Sequence, residues 1–115
     1  MQLSIKDKSY LWDICEACKD IIQFTSNINF SEFNSNKMIR YAVERQILVV
    51  GEAANHLSDA FRMENSSIPW SKIIGMRNII AHEYGEILVE RIWLTAKNNI
   101  PNLLNSIEQL IVAEN

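Results

Sequence analysis

NKMIRYAVERQILVVGEAANHLSDAF, residues 36–61, is the stretch whose reading decides the fold. Its apolar positions Ile39, Val43, Val50, Ala53, Leu57 and Phe61 recur at helical spacing, and Ile47, Leu48, Val49 and Ala54 widen the stripe beyond one face. A helix apolar over so wide an arc is either central to its domain or part of a subunit interface. Gly51, Ala53 and Ala54 are small enough to let another helix approach. A glycine inside a helix otherwise costs on the order of 1 kcal/mol relative to alanine, so close packing is the expected compensation.

On the N-terminal side, residues 26–36 hold four asparagines and three serines and read as a connection, with Phe30 and Phe33 as plugs into the core. Before it, Ser4 followed by Asp7 resembles a capping pattern, and Leu11, Ile14, Cys18, Ile21, Ile22 and Thr25 recur every three or four residues. This predicts a first helix over 5–26. On the C-terminal side, residues 64–67 close the central element. Ser67 as cap and Pro69 in the first turn then open a third helix over 69–84, whose buried side is Trp70, Ile73, Ile74, Ile80 and Ala81. Gly85 is placed to end it in a left-handed cap, with His82, Glu83 and Tyr84 in the last turn. Leu88, Ile92, Ala96, Leu103, Ile107, Leu110 and Ile111 give a fourth pattern, interrupted where Pro101 removes a backbone donor and meets the carbonyl of Lys97. The expectation is all-α: an up-and-down four-helix bundle, its last helix kinked or broken near Pro101, forming one domain over 1–115.

Composition agrees. Hydrophobic residues make up 48% of the 115, while Gly is 3 and Pro 2, too few turn formers for many short strands. A net charge of −3 argues against a broadly basic nucleic-acid clamp, so any RNA contact must be focal. The charged N-terminal residues lack the apolar run of a secretory signal, and no segment approaches a membrane span, so a cytoplasmic protein is expected. Cys15 and Cys18 form a lone C-x2-C with only His56 and His82 to complete a metal set, so ordinary helix residues are expected there.

The chemistry-bearing stretch is Arg77-Asn78-Ile79-Ile80-Ala81-His82-Glu83-Tyr84-Gly85. Asn78 and His82 are one turn apart, and Arg77 stands about 140° from His82 on an ideal helix. Cleavage of RNA by its own 2′-hydroxyl needs a base for that proton, a cation for the phosphoryl oxygens and an acid for the leaving 5′-oxygen. Histidine as a residue type titrates close enough to cytosolic pH to serve as base or acid, and arginine can donate two hydrogen bonds to phosphate. No metal or other cofactor is required. One histidine cannot comfortably fill both proton roles, but a two-fold dimer would supply two. Asn78 could orient the imidazole or bind phosphate, and Tyr84 could stack on a base. Without further information, a cation-capped helix end is the simpler account of Arg77 and His82.

Arg77-Asn78-Ile79-Ile80-Ala81-His82 resembles the R-x4-H motif of the HEPN superfamily, and His82-Glu83-Tyr84 extends it to the R-x4-H-x-Y form of the HepT-like branch. The segments 47–54, 68–70 and 76–78 are similar to that branch as well. The resemblance implies a dimeric, metal-independent endoribonuclease, the toxin of a type VII toxin–antitoxin pair. It further implies Arg77 and His82 as catalytic residues and an MntA-like nucleotidyltransferase as antitoxin, which attaches AMP to Tyr84. AMP at Tyr84 would add bulk and a negative phosphodiester two residues from His82. The alternative is a non-catalytic helical subunit that binds nucleotide or substrate for a nucleotidyltransferase. Trp70, Trp93 and Tyr41 read as core or interface and Trp12 as structural. His56 reads as a surface residue, Glu52 as a polar or interface partner, and Lys72 and Arg40 as surface cations able to guide RNA.

Overall fold

The computed structural model describes residues 3–114, and these contain helices and no strand. Met1, Gln2 and Asn115, which the single-domain expectation includes, lie outside the described residues. In chain order the helices are α1 (Ile5–Phe24), α2 (Phe30–Ser35), α3 (Lys37–His56), α4 (Asp59–Glu64), α5 (Trp70–His82), α6 (Gly85–Leu94), a π segment (Thr95–Asn99) and α7 (Ile100–Glu114). None is long and apolar enough to cross a membrane.

The Ser4 cap forms as read: its hydroxyl accepts the Asp7 N–H at 3.0 Å and starts α1. Leu11, Ile14, Cys18 and Ile21 of α1 are fully buried. Against them lies α3, which contributes Val43, Ile47, Val50 and Ala54, and α3 also packs on α5. α7 covers another side of α1 with Ile100, Leu103 and Ile107. The wide apolar arc of residues 36–61 is therefore used within the protomer, on two sides at once. Cys15 and Cys18 are free and buried in this core, and burial pushes the Cys18 thiol up to about 12.

Three expectations change. The connection before α3 holds a helix of its own: Asn29 and Glu32 form a reciprocal capping box, and Phe33 is fully buried against the Trp93 ring at 5.1 Å. The stretch 36–61 divides after His56. Leu57 turns extended while staying buried, and the Ser58 hydroxyl accepts the Phe61 N–H to start α4. Third, α5 begins after Pro69 with no side-chain cap, so Ser67 does not cap it, and Ala81 is exposed rather than buried. Near Pro101 the α-helical pattern is interrupted by the π segment, in which the Ile100 N–H reaches back to the Thr95 carbonyl, while the backbone stays helical. Widening the turn just before proline is a way to absorb the ring without breaking the helix. Lys97, on this segment, donates to the Thr25 carbonyl at the end of α1 and lies over the Trp93 ring.

Asp7 ties the two ends of this arrangement. Only 4% exposed, its carboxylate accepts the Ser58 N–H at 2.9 Å and the Ser58 hydroxyl at 2.7 Å. Burial alone would raise its pKa, but these bonds, the Ser4 cap and the charge of Lys6 outweigh it and leave the group below the usual carboxylate value. A depressed folded-state pKa contributes stability that is present above the unfolded value and lost as pH falls through the folded one. Asp7→Asn should therefore cost about 1.5–3 kcal/mol at neutral pH and flatten the loss of stability below about pH 4. Urea unfolding of both proteins at pH 7 and pH 3 measures this; an equal pH dependence in the variant would remove Asp7 from the account.

Candidate nucleic-acid site

The polar stretch lies where α5 ends. The helix stops at His82, and Glu83 and Tyr84 are both extended, so the last turn does not reach Tyr84 as the sequence suggested. Gly85 does adopt a left-handed φ of +58°, but as the first residue of α6 rather than as a cap on α5. The extended residues and this glycine swing the chain from one helix into the next. Asn78 and His82 are exposed on the last turns of α5, and Tyr84 is 82% exposed. On α6, which follows Tyr84, Ile87 and Leu94 are large exposed apolar residues seven positions apart, and so lie on similar sides of it.

Arg77 is the member of this group that is held in place. It projects from α5 toward α3, where its Nη1 donates to Glu52 Oε2 at 2.7 Å. Its Nε points to the Ile74 carbonyl one turn back, at a long 3.4 Å. The approach depends on Gly51. A Cβ at that position would stand 2.9 Å from Arg77 Cγ, closer than a side-chain stem can accept without moving, and 3.4 Å from the Ile73 carbonyl oxygen. Close packing was the expected reason for this glycine, and the partner it admits is the arginine stem itself. The Arg77 and Glu52 side chains are 32% and 56% exposed, and a pair this wet contributes only about 0.2–1 kcal/mol to stability.

Glu52 was legible as a polar or interface residue, but its partner lies 25 positions away and carries no local sequence signal. An open groove borders it, lined by Tyr10, Asp13, Arg45 and His56 among others, with a volume of about 410 Å³. His56 is exposed, as read; its Nδ1 donates to the Glu52 carbonyl and its ring stacks on Tyr10 at 5.2 Å. Trp70 is buried, with its indole N–H on the Asn65 carbonyl, and Trp93 packs on Phe30 and Phe33. Tyr41 and Trp12 are each 58% exposed, so neither is a core residue of the protomer. Lys72 is exposed, whereas Arg40 bonds the Asn34 carbonyl at the end of α2.

Residues 14–110 match the family described as Ribonuclease HepT-like. The chain is 39% identical over 101 residues to a Methanocaldococcus jannaschii protein provisionally named an RNase, covering 88% of this chain and 93% of that one. It is 36% identical over 103 residues to "Probable ribonuclease HepT" of Thermococcus cleftensis, covering 90% and 94%. A Caldanaerobacter subterraneus relative, also provisionally named an RNase, is 31% identical over 107 residues, covering 93% and 96%. No solved structure gives a significant match. A family match across most of the chain, with relatives aligned over nearly their full lengths, shows that the chain belongs to the HepT-like ribonuclease family.

Proposed function

We propose that this protein is a metal-independent endoribonuclease that cuts RNA by attack of the 2′-hydroxyl on the adjacent phosphodiester. Family membership supports ribonuclease action, and the observation that carries the site is the placement of a guanidinium, an amide, an imidazole and a phenol along one accessible helix end. In this reading Arg77 donates to the phosphoryl oxygens, where charge gathers as the 2′-oxygen bonds to phosphorus and the 5′-oxygen leaves. A fixed donor of that kind is commonly worth about 3–4 kcal/mol in the transition state. His82 takes the 2′-hydroxyl proton, and the same histidine of a second protomer returns a proton to the leaving oxygen. Asn78 binds phosphate or steadies the imidazole.

The second histidine requires a homodimer. Ile87 and Leu94, on α6, offer exposed apolar surface for one. The protomer would act as a four-element bundle, with α3–α4 and α6–π–α7 each serving as one arm and residues 1–115 as a single domain. The same reading makes the protein a cytoplasmic toxin whose antitoxin is a nucleotidyltransferase that places AMP on Tyr84. That tyrosine is well placed for an enzyme to reach: it is 82% exposed, in an extended segment, two residues from His82. The added phosphodiester would repel an RNA backbone and crowd the site without unfolding it.

Purified protein should cut RNA in the presence of chelator, and His82→Ala, at an exposed position, should lose at least 100-fold in rate while keeping its melting temperature. Full activity in that variant would reject His82 as the base. Co-expression with an MntA-like nucleotidyltransferase should add AMP mass to the wild type and none to Tyr84→Phe, read by intact mass spectrometry. Equal labelling of both would exclude Tyr84.

A further inference from the structure

The carboxylate of Glu52 is the least expected group in a phosphate-binding site, because it is negative, half in water and bonded directly to the arginine proposed to meet the phosphate. If only charge mattered, it would hinder: it opposes an RNA backbone and occupies one of the five guanidinium N–H groups. What it supplies is direction. A free arginine end samples many rotamers, whereas here Nη1 is fixed to α3 and Nε leans on the backbone of its own helix. The second N–H of Nη1 and both of Nη2 have no partner among the described residues. The stem is fixed independently, since Gly51 leaves a gap on α3 into which Arg77 Cγ fits with no room for a Cβ. Adjacent residues on one helix thus constrain both the root and the tip of the same side chain on another.

We propose that Glu52 is the positioning residue for Arg77, with Gly51 as the seat of its stem, so that the unoccupied guanidinium N–H groups are aimed before RNA arrives. This rests on the reading above that Arg77 acts on the phosphate. Orientation set in advance affects the chemical step more than capture of the substrate, and a small misplacement of a catalytic group can cost about 100-fold in rate. Loss of Glu52 should therefore separate the two kinetic parameters, lowering kcat while KM for RNA stays level or falls as the repelling charge is removed.

Steady-state cleavage of one RNA by the full-length protein tests this with Glu52→Ala, Glu52→Gln, Gly51→Ala, Arg77→Lys and Arg77→Ala. Glu52→Ala should lose about 10–100-fold in kcat without a rise in KM, and Glu52→Gln, which keeps an acceptor oxygen, should recover part of the loss. Gly51→Ala should lose kcat in the same way, with circular dichroism and melting confirming the fold. In an Arg77→Lys background, where the planar fork is gone, Glu52→Ala should cost much less than in the wild type, because the two residues act as a unit. Unchanged or increased kcat in Glu52→Ala overturns the proposal, an increase marking the pair as an inhibitory clamp. Equal losses in both backgrounds overturn it as well, since they place Glu52 in a separate role. Full activity in Arg77→Ala would instead remove the reading of the site on which the proposal rests.

Discussion

Everything in this protein depends on α3 being buried on two sides. Val43, Ile47 and Val50 are essentially inaccessible, and α3 lies against both α1 and α5. Each such side chain contributes about 1.5–3 kcal/mol on leaving water, several times what the exposed Arg77–Glu52 pair can add. Apolar packing therefore decides where α5 sits, and the ion pair decides only how one side chain on it points. The small residue at position 51 joins these two levels, because it lies where the packing surface of α3 becomes the seat of the arginine.

The same logic explains the rest of the chain. α5 is anchored by Trp70, Ile73 and Met76, and its polar end is free to carry exposed groups because burial elsewhere already fixes the helix. Asp7 and Ser58 join the start of α1 to the start of α4 through charge-assisted bonds, in a place where the backbone would otherwise leave donors unpaired. The π segment, Lys97 and Trp93 lock the far side, where Phe33 of α2 closes the core.

Much of this was legible in the sequence, and the misses share a cause. Periodicity located α1, α3, α5 and the last helical arm because burial repeats every three or four residues. It ran through the break at Leu57 for the same reason: Leu57 and Phe61 both stay buried while the backbone between them changes direction. The short α2 hid in a run of asparagines and serines, yet Asn29 and Glu32 were a capping box in plain view. Gly85 drew attention as a helix stop, but Glu83 had already left the helical region, and the left-handed glycine lies at the entry to α6 instead. The site stretch was visible as a motif, whereas Glu52 as the partner of Arg77 was not, since only the docking of α5 on α3 brings them together.

The functional account comes down to the route by which a phosphodiester is broken. In the proposed mechanism, with Arg77 and His82 in the leading roles, the attacking oxygen would be the RNA's own 2′-hydroxyl. The most direct measurement is the chemistry of the cut ends, read by mass spectrometry of a short defined RNA. The account predicts a 2′,3′-cyclic phosphate on the upstream fragment and a free 5′-hydroxyl on the downstream one, with no cutting where a single 2′-deoxy nucleotide replaces the attacking ribose. A 5′-phosphate with a 3′-hydroxyl, or undiminished cutting at the deoxy position, would contradict it.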